Sequence, residues 1–202
     1  MKVKICGITT KEAAEHAVVA GADFIGFVFA KSKRKIDRVQ AKEIARIIPS
    51  TVKKVGVFVN EDVETIEEIA DMAGLDYVQL HGDETPDMCK QISYPVIKAF
   101  QVKSKDDFKA IADYDCAYYL LDSPAGKYRG GNGETFDWGL AKHLINLDGR
   151  VILAGGLHQG NVQQAIAEVN PIGVDVSSGV ETDGAKDLNK ITAFIQEAKR
   201  ER

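Results

Sequence analysis

AYYLLDS, residues 117–123, is apolar or aromatic at five successive positions and then ends on a carboxylate and a hydroxyl. A strand with one wet face alternates apolar and polar residues, and this run does not. It reads as a strand covered on both faces, the condition of a parallel sheet sheathed by helices. The same texture recurs outward in both directions, in VKICGI (3–8), DFIGFVF (23–29), VKKVGVFV (52–59), YVQLHG (77–82), VIKAF (96–100), RVILAGG (150–156) and IGVDVSS (172–178). With 117–123 that makes eight candidate strands.

Between them the period changes to that of a helix. Val63, Ile66, Ile69, Ala70 and Ala73 form one apolar stripe, Ile44, Ile47 and Ile48 another, and Leu188, Ile191, Phe194, Ile195 and Ala198 a closing one. Thr9 with Glu12 fits a capping box ahead of the first helix, and Gly21 and Gly74 stand where helices should stop. Eight strand–helix units joined by short loops predict an α/β fold, a (β/α)8 TIM barrel of eight parallel strands with outer helices, as one catalytic domain over residues 1–202. A doubly wound open sheet is the alternative. It would carry G-x-G-x-x-G after the first strand, where CGITTKEAA (6–14) has a single glycine.

Composition narrows the function. The chain is 45% hydrophobic and 28% charged, an ordinary globular mixture, with a formal net charge of −4. Such a surface attracts neither nucleic acid nor an anionic membrane, so any bound anion must be held locally. No stretch approaches the roughly eighteen apolar residues that span a bilayer, and MKVKICGITTKEAAEH (1–16) lacks a signal peptide's apolar region, so a cytoplasmic location is expected. Three widely spaced cysteines, Cys6, Cys89 and Cys116, fit a reducing compartment and neither a disulfide framework nor a metal knuckle. The four histidines show no HxxH or HExxH spacing. No Walker loop or G-x-S-x-G elbow is present, so the chemistry is read as free of cofactor and metal.

In such a barrel the residues at the carboxyl ends of strands face the active-site mouth. Here they are Cys6, Arg34 after the second strand, Gln79 and His81, Asp122, and Asp175 within the eighth. Asp122 follows an apolar run, so it is either paired or functional, and an apolar surround favours keeping the proton of a general acid. Cys6 is either a small core residue or a working thiol. Arg34 lies in the basic cluster KSKRK (31–35), His81 is a substrate donor or a satisfied structural histidine, and Asp175 bonds a ligand hydroxyl or orients its neighbours. Phe136 and Trp138 read as packing. Loops after the seventh and eighth strands offer backbone N–H groups to a phosphate, with Gly155, Gly156, Ser178 and Gly179 as the candidates, against the plainer reading that the glycines only turn the chain.

Taken together, KICGIT (4–9), GFVFAKSKRKI (26–36), VQLHGDE (78–84), LLDS (120–123), GGNGETFDW (130–138), LAGGL (153–157) and VDVSSGVE (174–181) resemble the phosphoribosylanthranilate isomerase family of tryptophan biosynthesis from end to end. The resemblance implies an Amadori rearrangement of a phosphorylated amino-sugar, with Cys6 as general base, Asp122 as general acid and Arg34 on the anthranilate carboxylate. It departs at Lys33, where the family often has proline, and at Glu134, where it often has lysine. Related readings are the histidine-pathway sugar isomerase, which would place an aspartate at position 6, and indole-glycerol-phosphate synthase, which would need a longer chain. A barrel that binds such a ligand without chemistry is the non-enzymatic reading. A monomer is expected, with a homodimer as the alternative.

Overall fold

The structure is a computed structural model that describes residues 1–102, 111–123, 138 and 149–200. Eight strands, β1 (Lys2–Cys6), β2 (Phe24–Val28), β3 (Lys53–Phe58), β4 (Tyr77–Leu80), β5 (Val96–Gln101), β6 (Tyr118–Asp122), β7 (Val151–Leu153) and β8 (Gly173–Val176), pair in chain order into a closed barrel. The closing seam decides against an open sheet: β1 lies parallel to β8, Val3 opposite Val174 and Lys4 opposite Asp175. Helices α1 (Lys11–Ala20), α2 (Arg38–Ala45), α3 (Val63–Ala73), α4 (Pro86–Gln91), α5 (Val162–Val169) and α6 (Leu188–Lys199) surround it among the described residues.

Two apolar clusters follow from the strand period of two. The outer one joins Ile5, Ile25, Leu80, Leu121, Leu153 and Val176 to the helices. The inner one takes the alternate residues, Phe24, Val55, Ile97, Ala99, Leu120, Ile152 and Ala154. Because side chains alternate between faces, Lys4, Cys6, Gln79, Asp122 and Asp175 share the inner face. The apolar runs are therefore continuous because both faces are dry. Among their polar exceptions these five point inward, while Lys98, between inner Ile97 and Ala99, points outward to Glu84 at 3.1 Å.

Two helix expectations need correction. The cap of α1 is Thr10: its backbone is extended (φ −131°, ψ 150°) and its hydroxyl accepts the Ala13 N–H at 3.2 Å. Glu12 then stands at the second helical position, one short of the place a capping box requires. On α2, Ile47 is exposed because the helix stops at Ala45, while Ile48 stays buried. Gly21 and Gly74 do close their helices in the left-handed region.

After β8 comes a hairpin that the sequence reading missed, β9 (Glu181–Thr182) with β10 (Ala185–Lys186). Its two-residue loop is Asp183-Gly184, with φ of 52° and 82°. That dipeptide with both angles positive is the preferred tight hairpin turn, so the signal was present in the residues. The hairpin brings Glu181 and Lys186 over the mouth.

Candidate active site

A cavity of about 610 Å³ opens at the carboxyl ends of the strands. Cys6, Arg34, Gln79, His81, Asp122, Gly155, Gly156, Asp175 and Ser178 all line it. These residues come from six strands or the loops that follow them, so closing the barrel is what brings them together.

Gly7 explains the end of the first strand. Its φ of +77° belongs to the left-handed region, and a side chain there would lie 2.5 Å from Arg34 Cδ. The glycine therefore lets the chain turn sharply after Cys6 and lets the Arg34 stem lie across it. The arginine head is clamped by a carboxylate absent from the sequence-derived set: Nε donates to Glu181 Oε1 at 2.6 Å and Nη2 to Oε2 at 2.8 Å. Lys186 Nζ donates to the same Oε1 at 2.7 Å and to the Ser177 carbonyl at 2.9 Å. Burial works against the Glu181 charge, but Arg34 and Lys186 outweigh it and hold its carboxyl below the usual range. KSKRK is thus no merely solvated loop, since its arginine is fixed by a bidentate pair.

Asp122 sits at the end of β6, 2% exposed, and Oδ1 accepts the Ser123 N–H at 2.8 Å. Its other oxygen lies 3.2 Å from His81 Nε2, close but without the alignment of a hydrogen bond. His81 Nδ1 faces the Gln79 amide nitrogen at 3.1 Å. His81 therefore bonds the Gln79 amide and stands beside the carboxyl, and Asp122, bonded to the Ser123 N–H, lines the cavity. Gln79, 1% exposed, keeps a buried Oε1 without a partner among the described residues.

Asp175 turns out to orient a neighbour, for its Oδ1 accepts from Lys4 Nζ at 2.9 Å deep in the barrel. Lys4 was not among the residues singled out from the sequence. Burial alone would lower its pKa, yet Asp175 and then Cys6 beside it reverse the balance and the net shift is upward. For Cys6 burial is the largest influence and pushes the thiol up. Lys4 draws it down, Asp175 pushes it up, Lys186 draws it down, and the net shift is upward. The free protein therefore holds Cys6 largely as a thiol at neutral pH.

The glycine loops divide. Gly155 (φ +82°) lies so close to β6 that a side chain would come 2.5 Å from Ser123 N and 3.0 Å from Asp122 Oδ1. Gly155, Gly156 and Ser178 face the cavity, whereas Gly179 presses on the β7 loop, where a side chain would meet the Leu157 carbonyl at 1.9 Å. Gly179 thus packs the two loops together and does not line the cavity. Trp138 is buried in the outer core, as a packing residue should be. Residues 130–133 (GGNG), Glu134, Phe136 and His143 lie outside the described residues.

A closed parallel barrel with a polar cavity at the carboxyl ends of its strands is the architecture of a (β/α)8-barrel enzyme. Residues 3–197 match the model of one family of such enzymes, described as N-(5'phosphoribosyl)anthranilate (PRA) isomerase, and the chain belongs to that family. The N-(5'-phosphoribosyl)anthranilate isomerase of Bacillus mycoides (strain KBAB4) is 55% identical over 200 residues, covering 98% of both chains. The crystal structure of the Thermotoga maritima phosphoribosyl anthranilate isomerase superposes with a TM-score of 0.90 at 42% identity over 98% of each chain. A phosphoribosyl anthranilate isomerase in complex with reduced 1-(O-carboxyphenylamino)-1-deoxyribulose 5-phosphate gives 0.86 at 41% identity, again over 98% of each. A further structure of the Thermotoga maritima protein is of monomers generated from a dimeric form.

Proposed function

We propose that this cavity performs the family's Amadori rearrangement, converting N-(5-phosphoribosyl)anthranilate to 1-(2-carboxyphenylamino)-1-deoxyribulose 5-phosphate, with Asp122 as general acid and Cys6 as general base. The chain is an isomerase of tryptophan biosynthesis acting on a small phosphorylated substrate. Asp122 protonates the furanose ring oxygen, the ring opens to an iminium, and Cys6 then removes the proton on C2 to leave an enolamine that tautomerises to the ketone. The observation that carries these roles is that a thiol from β1 and a carboxyl from β6 line one cavity. Each group contributes on the order of a hundred- to ten-thousand-fold when well placed.

The remaining roles follow from charge and position. Arg34 holds the anthranilate carboxylate, His81 keeps Asp122 in place or donates to a substrate hydroxyl, and Asp175 steadies the interior charge. Gly155, Gly156 and Ser178 bind the phosphate through backbone N–H groups, and Gly179 keeps their loops in register. Since the raised thiol is a poor base until ionised, the cationic iminium itself helps Cys6 give up its proton when it is needed. The chain works as one catalytic unit over its length, in the cytoplasm, as a monomer whose mass in solution light scattering can verify. No helix among the described residues is long and apolar enough to cross a membrane.

The deciding assay follows loss of anthranilate-type fluorescence from freshly formed phosphoribosylanthranilate. The wild-type chain should consume it and Cys6→Ala should not, by a factor of at least about a hundred. Binding of a product analogue without any turnover would support the ligand-holding barrel instead.

A further inference from the structure

Lys4 is a full charge in the middle of the barrel, 1% exposed, where the interior is otherwise filled by side chains such as Val55, Ile97, Leu120 and Ile152. An aliphatic residue would pack there at less cost, because an ammonium loses its hydration on burial. Two features of its surroundings account for its presence. Nζ lies 2.9 Å from Asp175 Oδ1, and Cys6 stands two residues up the same strand with its side chain on the same inner face. Gly26, opposite Cys6 on β2, makes room for that meeting: a side chain there would stand 3.0 Å from Cys6 Sγ and 3.2 Å from Lys4 Nζ.

We propose that Lys4 is a positioning residue for the rearrangement, its ammonium held by Asp175 so that it fixes the Cys6 sulfur at the cavity floor and stabilises it as the anion that takes the C2 proton. This rests on the reading of Cys6 as general base. The thiol proton leaves through the cavity to water, the C2 proton replaces it on sulfur, and Lys4 keeps its own protons throughout. Four charged groups face the sulfur: Lys4 from its own strand, Asp175 from β8, Lys186 from β10 and Arg34 from the loop after β2. Lys186 and Arg34 are both engaged by Glu181. Lys4 stands below the sulfur on the same strand and favours the thiolate more strongly than Lys186 does, while Asp175 opposes it.

The test reads the sulfur without substrate. The rate of Cys6 alkylation by iodoacetamide is followed against pH in the full chain, with peptide mass spectrometry counting Cys6 apart from Cys89 and Cys116. Lys4→Met should raise the midpoint by about one unit or more, the effect of losing an opposite charge in contact. Turnover at neutral pH should fall by about tenfold or more and recover as the pH is raised, since alkali supplies the missing thiolate. Asp175→Asn should move the midpoint down. Because Lys4→Met leaves Asp175 buried and unpaired, the double variant is compared with Asp175→Asn as well, and there too losing the lysine should raise the midpoint. An unchanged midpoint on losing Lys4 in whichever background folds, or an upward shift in Asp175→Asn, overturns the proposal. These midpoints stand apart from the turnover of Cys6→Ala, which tests the base assignment itself.

Discussion

The two ends of the barrel interior are built from the same strands and do opposite work. At the amino-terminal end Phe24 packs edge-on against Tyr77 and Tyr118, with centroids 5.8 and 6.0 Å apart, and closes the floor. Four residues further along β4 and β6 the same inward register presents His81 and Asp122 to an open cavity. Two pleats thus separate a plug from a reactive site. Between them lies the layer that holds Lys4, Gln79 and Asp175, where buried polar groups pair with one another. Stability and chemistry are divided by height in the barrel and not by segment of the chain.

Substitutions at the two ends should therefore separate activity from stability. The largest effect is expected at the mouth, where Asp122→Asn should cost about a hundred- to ten-thousand-fold in kcat/KM while leaving the thermal midpoint nearly in place. Near-normal turnover would remove the carboxyl from its role. At the floor, Phe24→Ala should cost about 3–5 kcal/mol in chemical denaturation, yet turnover per folded molecule should hold. A matching loss of turnover would show that the two ends are not separable. Smaller still, Arg34→Met should raise KM by about tenfold with a lesser change in kcat, as expected when binding made equally in ground and transition states is lost.

A pH profile sharpens the same contrast. Cys6 is displaced upward, chiefly by burial, and is needed as the anion, so kcat/KM should climb with pH on the alkaline side, following the ionisation seen by alkylation. Stability responds to the interior pair in the opposite sense. Lys4 is raised above its ordinary 10.5, so its contribution is complete below that value and disappears as the pH rises through the higher folded one. Activity should therefore rise with pH, while this part of the fold's stability is lost as pH rises.

Much of this was legible from local pattern. The eight apolar runs, their polar ends at Cys6, His81 and Asp122, and the glycines closing α1 and α3 are features of a few neighbouring residues, and they require no knowledge of distant contacts. The one-residue error at Thr9 arose because two adjacent threonines offer the same cap and only the backbone angle chooses between them. Glu181 was quoted within VDVSSGVE and still overlooked, because nothing near it in the chain says that a hairpin will fold it onto Arg34.

By itself the order of residues determined the element types, the barrel and the strand-end positions of Cys6 and Asp122, since each depends on a period or a position within a single strand, while the role of Cys6 as base came from the family resemblance. Tertiary structure alone decided which charges meet. Lys4 and Asp175 stand 171 residues apart and Arg34 and Glu181 147 apart, and only closure of β8 onto β1 and return of the β9–β10 hairpin bring them together. The physical reason is that electrostatic and hydrogen-bonded contacts act over a few ångströms of space, whatever the distance along the chain.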